Sequence, residues 1–194
     1  YDSGEIVIDG KSTKKFKNKD FDYYRNTYIG FIFQEFNLLE EYNVYDNIIL
    51  SNKLQKEKVN LNIVDELLKK VGISGLGKRN INELSGGQKG RVAIARALIK
   101  NPNIILADEP TGNLDEETGK QIFEILKSIS KEKLVIVVSH DRESAINYAD
   151  GIIEISDGEI ISNNVKFDST ENRIFKAKKS RLPFIDSMKF AFSN

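Results

Sequence analysis

The chain has 194 residues, of which 40% are hydrophobic and 30% charged, with 29 basic and 29 acidic side chains; this suffices for one domain with a substantial core and excludes a disordered chain. It contains no cysteine, which excludes disulfides and thiolate metal sites, and no apolar run approaches the roughly 18 residues a helix needs to cross a bilayer. Charge is uneven: residues 1–164 carry 22 Lys and Arg against 26 Asp and Glu, a balance that argues against nucleic acid as a partner, whereas 165–194 carry 7 against 3.

The first stretch, Gly4-Glu5-Ile6-Val7-Ile8-Asp9-Gly10-Lys11-Ser12-Thr13, ends in the three residues that close a nucleotide-binding P-loop. Such a loop needs a glycine five positions before Gly10, and position 5 is Glu. The alternating, β-branched residues predict a strand over about 5–8 and a hairpin whose tip is Asp9-Gly10. Lys14-Lys15-Phe16-Lys17-Asn18-Lys19 is too polar to begin the buried helix that a P-loop feeds. A strand at about 28–33 leads into Gln34, and helices follow near 44–56 and 61–71.

Leu84-Ser85-Gly86-Gly87-Gln88 precedes a helix near 87–100 whose apolar positions are 92, 94, 95, 98 and 99. Ser85 and the two glycines therefore sit at a helix N-terminus, where unpaired N–H groups and the helix dipole attract anions. A serine N-cap after a loop suits the same residues equally well. The next strand, about 103–107, ends in Asp108-Glu109-Pro110, which places carboxylates at a sheet edge that can hold Mg²⁺ or polarise a water, or else forms a polar turn. After a helix near 117–130 comes Leu134-Val135-Ile136-Val137-Val138, an unbroken apolar run expected to be a strand covered on both faces, followed by the single histidine, His140. A helix near 142–148 and strands at about 152–155 and 159–162 complete an α/β pattern with a mostly parallel core sheet.

Taken in order, these motifs resemble ABC-type ATPases. Leu84–Gln88 and the helix after it resemble the signature motif, Ile104–Glu109 a Walker B motif, Thr111-Gly112-Asn113-Leu114-Asp115 the D-loop, His140 the H-loop, and Ile29-Gly30-Phe31-Ile32-Phe33-Gln34 the Q-loop. The resemblance implies ATP and Mg²⁺ as ligands, with Asp108 and Gln34 at the metal, Glu109 as general base, and His140 at the γ-phosphate. It implies that Ser85, Gly86, Gly87, Gln88 and Asp115 act across the interface of a nucleotide-sandwich dimer. The opening hairpin matches one that lies shortly after the P-loop helix, so the Walker A segment is expected upstream of Tyr1. Gly90 departs from the family, which usually has Gln there.

The resemblance further implies one ATPase domain over 1–164, with a helical subdomain over about 36–100, and a transmembrane permease as partner at the cytoplasmic face of the cell membrane. "NLLEEYNVYDNIIL" and "ADEPTGNLD" look most like the branch of lipoprotein-release, macrolide-export and peptide-resistance transporters. The segment 165–194 is expected to be a basic linker whose Phe184, Ile185, Met188, Ala191 and Phe192 fall on one helical side, suited to the membrane surface or to packing on the core. Two other classes are a soluble, non-transporter ABC-type ATPase and a cassette inactive for want of Walker A.

Overall fold

A computed structural model describes residues 3–8, 10–53 and 59–165. Asp9 of the expected hairpin tip, the expected end of the first long helix at 56, and the whole basic segment from 166 with its stripe at Phe184–Phe192 lie outside the described residues.

The hairpin forms as the sequence predicts: β1 (Val7–Ile8) pairs antiparallel with β2 (Lys11–Ser12), Ile8 opposite Lys11, and Gly10 takes the positive φ of 75° that the turn demands. A 3₁₀ turn (Thr13–Lys15) and α1 (Asn18–Tyr23) then occupy a stretch where polarity gave no sign of a helix. Asp20 explains α1. Its carboxylate accepts the Lys17 N–H at 2.8 Å, satisfying a donor at the helix start, and this hydrogen bond holds the Asp20 carboxyl below its ordinary pKa. A π-helical turn (Tyr24–Tyr28) carries the chain into β3 (Ile29–Ile32).

The remaining elements are α2 (Val44–Lys53), α3 (Leu61–Lys70), a 3₁₀ turn (Ile81–Glu83), α4 (Gly86–Leu98), β4 (Ile104–Asp108), α5 (Glu116–Ser130), β5 (Leu134–Val138), α6 (Arg142–Tyr148), β6 (Ile153–Ser156) and β7 (Glu159–Asn163). β3, β4 and β5 form a parallel three-stranded sheet in that order, and β6 and β7 form an antiparallel hairpin.

The core gathers around α4. Val92, Ile94 and Leu98 of that helix join Val44 and Ile48 of α2, Val64 and Leu68 of α3, Ile32 and Ile105 of the sheet, and Ile122 and Leu126 of α5. Each such side chain contributes roughly 1.5–3 kcal/mol on leaving water. Gly30 lets α4 come this close to the sheet, because a Cβ there would lie 2.6 Å from the Ala97 carbonyl oxygen.

One expectation needs correcting. β5 is covered on one face only: Val135 and Val137 pack on the core, while Leu134, Ile136 and Val138 are 56%, 45% and 60% exposed. β5 ends the three-stranded sheet, so among the described residues its outer edge is unpaired and the face opposite α4 lacks a covering layer.

Candidate active site

Because β3, β4 and β5 run parallel and in register, with Ile32 beside Ala107 and Asp108 beside Val138, their carboxyl ends deliver Gln34, Asp108, Glu109 and His140 to one edge of the sheet. This is the edge at which open α/β sheets bind ligands.

Glu109 is held most tightly. Its backbone is left-handed, φ 43°, and is pinned by its own N–H donating to the Val138 carbonyl at 2.9 Å and by its carbonyl accepting from the Gly112 N–H at 3.1 Å. Its Oε1 accepts the backbone N–H of His140 at 3.0 Å and lies 2.9 Å from the His140 Nδ1. Oε2 has no hydrogen bond among the described residues, which leaves one carboxylate oxygen for a water. The bond to Glu109, followed by its charge, raises the His140 imidazole above its ordinary pKa. His140 presents the rest of its ring to solvent: its side chain is 83% exposed, that of Glu109 21%.

Gln34 stands beside the loop Thr111–Asp115. Asn113 donates its side-chain N–H to the Gln34 carbonyl at 3.3 Å, and a Cβ on Gly112 would lie 3.2 Å from the Gln34 amide nitrogen. Asp108 is exposed at the end of β4. Among the described residues no three His, Cys, Asp or Glu side chains converge on a common point. Mg²⁺ does not ask for that, since it keeps several waters and takes one or two carboxylates plus substrate phosphates. An exposed Asp108 carboxylate with the Gln34 amide at the same sheet edge is a donor set that fits it.

The signature residues lie apart from these four. Ser85 is the N-cap of α4, its Oγ accepting the Gln88 N–H at 3.3 Å while the Gln88 Oε1 accepts the Ser85 N–H at 3.1 Å, a reciprocal capping box. The glycines have a packing reason as well as the expected one: a Cβ on Gly86 would meet a Leu114 methyl at 3.2 Å, and one on Gly87 would meet the Thr118 Cγ2 at 2.4 Å. Asp115 caps α5, accepting the Thr118 N–H at 3.0 Å and the Thr118 hydroxyl at 2.7 Å; these bonds lower its pKa. No hydrogen bond among the described residues joins Ser85–Gln88 to Gln34, Asp108, Glu109 or His140. Ser85, Gly86, Asp115, Asp108, Gln34 and His140 are all exposed, so the arrangement is an open ledge with a separate anion-attracting helix end, not a closed pocket.

Sequence reasoning passed over two residues that shape the ledge. Asn113 was legible only as part of a loop, not as a contact of Gln34. Arg96 donates from Nη1 to the Asn37 carbonyl and from Nη2 to the Phe36 carbonyl, some 60 residues away in sequence. The available signal was a cation flanked by Ala95 and Ala97 in the stretch of the helix whose neighbouring positions are buried. Gly90 is explained too, since a Cβ there would press on the Phe36 ring at 3.3 Å and on Ile122 at 3.4 Å.

A family model described as ABC transporter matches residues 1–112. The chain is 44% identical over 189 residues to a macrolide export ATP-binding/permease protein, MacB, of Mannheimia succiniciproducens, covering 94% of this chain and 29% of that protein. It is 41% identical over 167 residues to the ABC transporter ATP-binding protein YxdL of Bacillus subtilis, covering 83% of this chain and 64% of the relative. The chain therefore spans less than a third of one of these relatives and under two thirds of the other. Among solved structures it resembles the dimeric ATP-binding cassette MJ0796 in a post-hydrolysis state bound to ADP and Pi, with a TM-score of 0.73 and 35% identity over 90% of this chain and 75% of that one.

Proposed function

The chain belongs to the ABC transporter family, and on that premise we propose that it is the ATP-hydrolysing cassette that powers transport through a membrane permease, acting as a head-to-tail dimer with ATP between two copies. The observation that carries this reading is the Glu109 carboxylate, fixed by the backbone and the ring of His140 at the carboxyl edge of a parallel sheet, with one oxygen left over. In this reading residues 1–164 form the cassette, about 36–100 its helical part, and 165–194 the basic lead-in to a permease at the cytoplasmic face of the membrane.

The residues divide the work by position. Glu109 accepts a proton from the attacking water at Oε2 while Oε1 stays anchored to His140. His140 keeps the carboxylate aimed and turns its exposed ring toward the terminal phosphate. Asp108 and Gln34 would hold Mg²⁺, which when bound would neutralise phosphate charge. Ser85 to Gln88 offer a helix N-terminus to the nucleotide held by the other copy, beside Asp115 at the neighbouring start of α5. The openness of the ledge supports a second copy as its missing wall.

No G-x-x-x-x-G-K-[ST] loop occurs in the 194 residues. We assign the phosphate cradle to a segment outside them, and the chain by itself is expected to bind ATP weakly. In the full polypeptide, Glu109→Gln keeps size and hydrogen bonding and removes the base, so turnover is expected to fall about 10²- to 10⁴-fold while ATP still closes the dimer. A Gln variant that hydrolyses ATP at the parent rate in a phosphate-release assay would remove Glu109 from this role.

A further inference from the structure

The chain immediately after Gln34 is gripped more firmly than a solvent-facing turn requires. Phe36 and Asn37 both take positive φ, 60° and 46°, a conformation that side chains other than glycine adopt only when their surroundings impose it. Asn tolerates it; Phe does not. Four contacts hold the segment here. The Phe36 ring is buried against Gly90, whose missing Cβ makes the seat. Arg96, one and a half turns further along α4, places its planar fork on the carbonyls of Phe36 and Asn37 together. From the other side Asn113 donates to the carbonyl of Gln34 itself, and Gly112 sits close enough to the Gln34 amide that no side chain would fit between them without displacement.

We infer that Arg96 and Asn113 are positioning residues for Gln34: they hold the backbone of 34–37 between α4 and the Thr111–Asp115 loop, so that the reach of the Gln34 side chain over the sheet edge is set by the helix that carries Ser85–Gln88 at its other end. This rests on the reading of Gln34 given above. The two carbonyls that Arg96 grips and the Phe36 ring seated on Gly90 travel with α4, so a shift of its N-terminus upon meeting a second copy is passed to Gln34 through these contacts. A lysine in place of Arg96 keeps the charge but replaces the rigid planar fork with a compact ammonium on a flexible stem, which fixes the two carbonyls less firmly.

The test compares ATP hydrolysis by Arg96→Lys, Asn113→Ala and Gln34→Ala, and by each of the first two combined with the third, in the full polypeptide that carries this chain, alongside hydrogen exchange of the amides of 35–40. Displacing a reacting group's neighbour costs on the order of 10- to 100-fold in rate, so Arg96→Lys is expected to lower kcat by about that factor with KM for ATP little changed. In the Gln34→Ala background it is expected to lower kcat no further, because the loss runs through Gln34. Exchange at 36 and 37 is expected to rise about tenfold or more in Arg96→Lys. Additive losses, or exchange unchanged from the parent, overturn the inference while leaving the reading of Gln34 intact. Parent-rate hydrolysis by Gln34→Ala overturns that reading and the inference with it. Should Arg96→Lys fail to fold, Asn113→Ala, a change at an exposed side chain, decides by the same non-additivity.

Discussion

At the scale of single residues, the Glu109–His140 contact has a direct spectroscopic consequence, because His140 is the chain's only histidine and its imidazole resonances need no assignment. The side-chain bond to Glu109 raises the pKa of His140 in the folded chain above the ordinary value of about 6.5. A group raised on folding contributes stability that is fully present below its unfolded pKa and is lost as pH rises through the folded one. A proton NMR titration should place the His140 midpoint above the ordinary value in the parent chain, and Glu109→Gln should bring it down. An identical midpoint in both would mean that the contact is not maintained in solution. The pair also sets a condition on mutational tests of the base. Glu109 occupies a left-handed backbone, so any replacement must tolerate φ 43° before its chemistry can be compared with that of Glu.

At the scale of elements, α4 and α5 meet where Gly87 faces Thr118, and the contact makes a prediction about stability that owes nothing to nucleotide. The Thr118 hydroxyl is fixed by Asp115, so its methyl cannot turn away from a Cβ arriving at 2.4 Å. Gly87→Ala is expected to cost about 1–3 kcal/mol, the usual penalty for overpacking. Thr118→Ser, which deletes the methyl and keeps the hydroxyl, should restore most of it in urea melts of the double variant. Equal destabilisation in the single and double variants would assign the loss to the helix start instead. Much of this element layer was legible in the sequence, because α2 to α6 and β3 to β7 announce themselves by period and α4 also by the Ser85 cap. What was not legible came from pairings distant in sequence. α1 is fixed by one carboxylate, Asp20, inside a polar run. The seat of Phe36 on Gly90 and the fork of Arg96 depend on chain reversals that periodicity does not record. Glu109 and His140 could be singled out by their places after two apolar runs, but their contact needed β4 and β5 to be neighbours in register.

At the scale of the whole molecule, the side of β5 that is uncovered among the described residues predicts how the 194 residues behave alone. Leu134, Ile136 and Val138, with a strand edge beside them that is unpaired among the described residues, resemble the long apolar edges through which chains associate. The isolated chain is expected to self-associate at micromolar concentration and to bind a hydrophobic dye. Ile136→Lys, a charge placed on that face, should reduce both in sedimentation and fluorescence measurements, and no change would show that association uses another surface. The open ledge has a further consequence, in reaction order. If each site is completed by a second copy, separate cassettes that carry their phosphate cradle hydrolyse ATP at a specific rate that climbs with protein concentration, because assembly is a bimolecular event. Cassettes tethered to paired permeases meet instead at an effective concentration near the millimolar range set by the tether, and their specific rate is independent of dilution. The same exposed His140 and Asp108 would then turn over ATP in an assembled transporter and spare it in a cassette diffusing on its own.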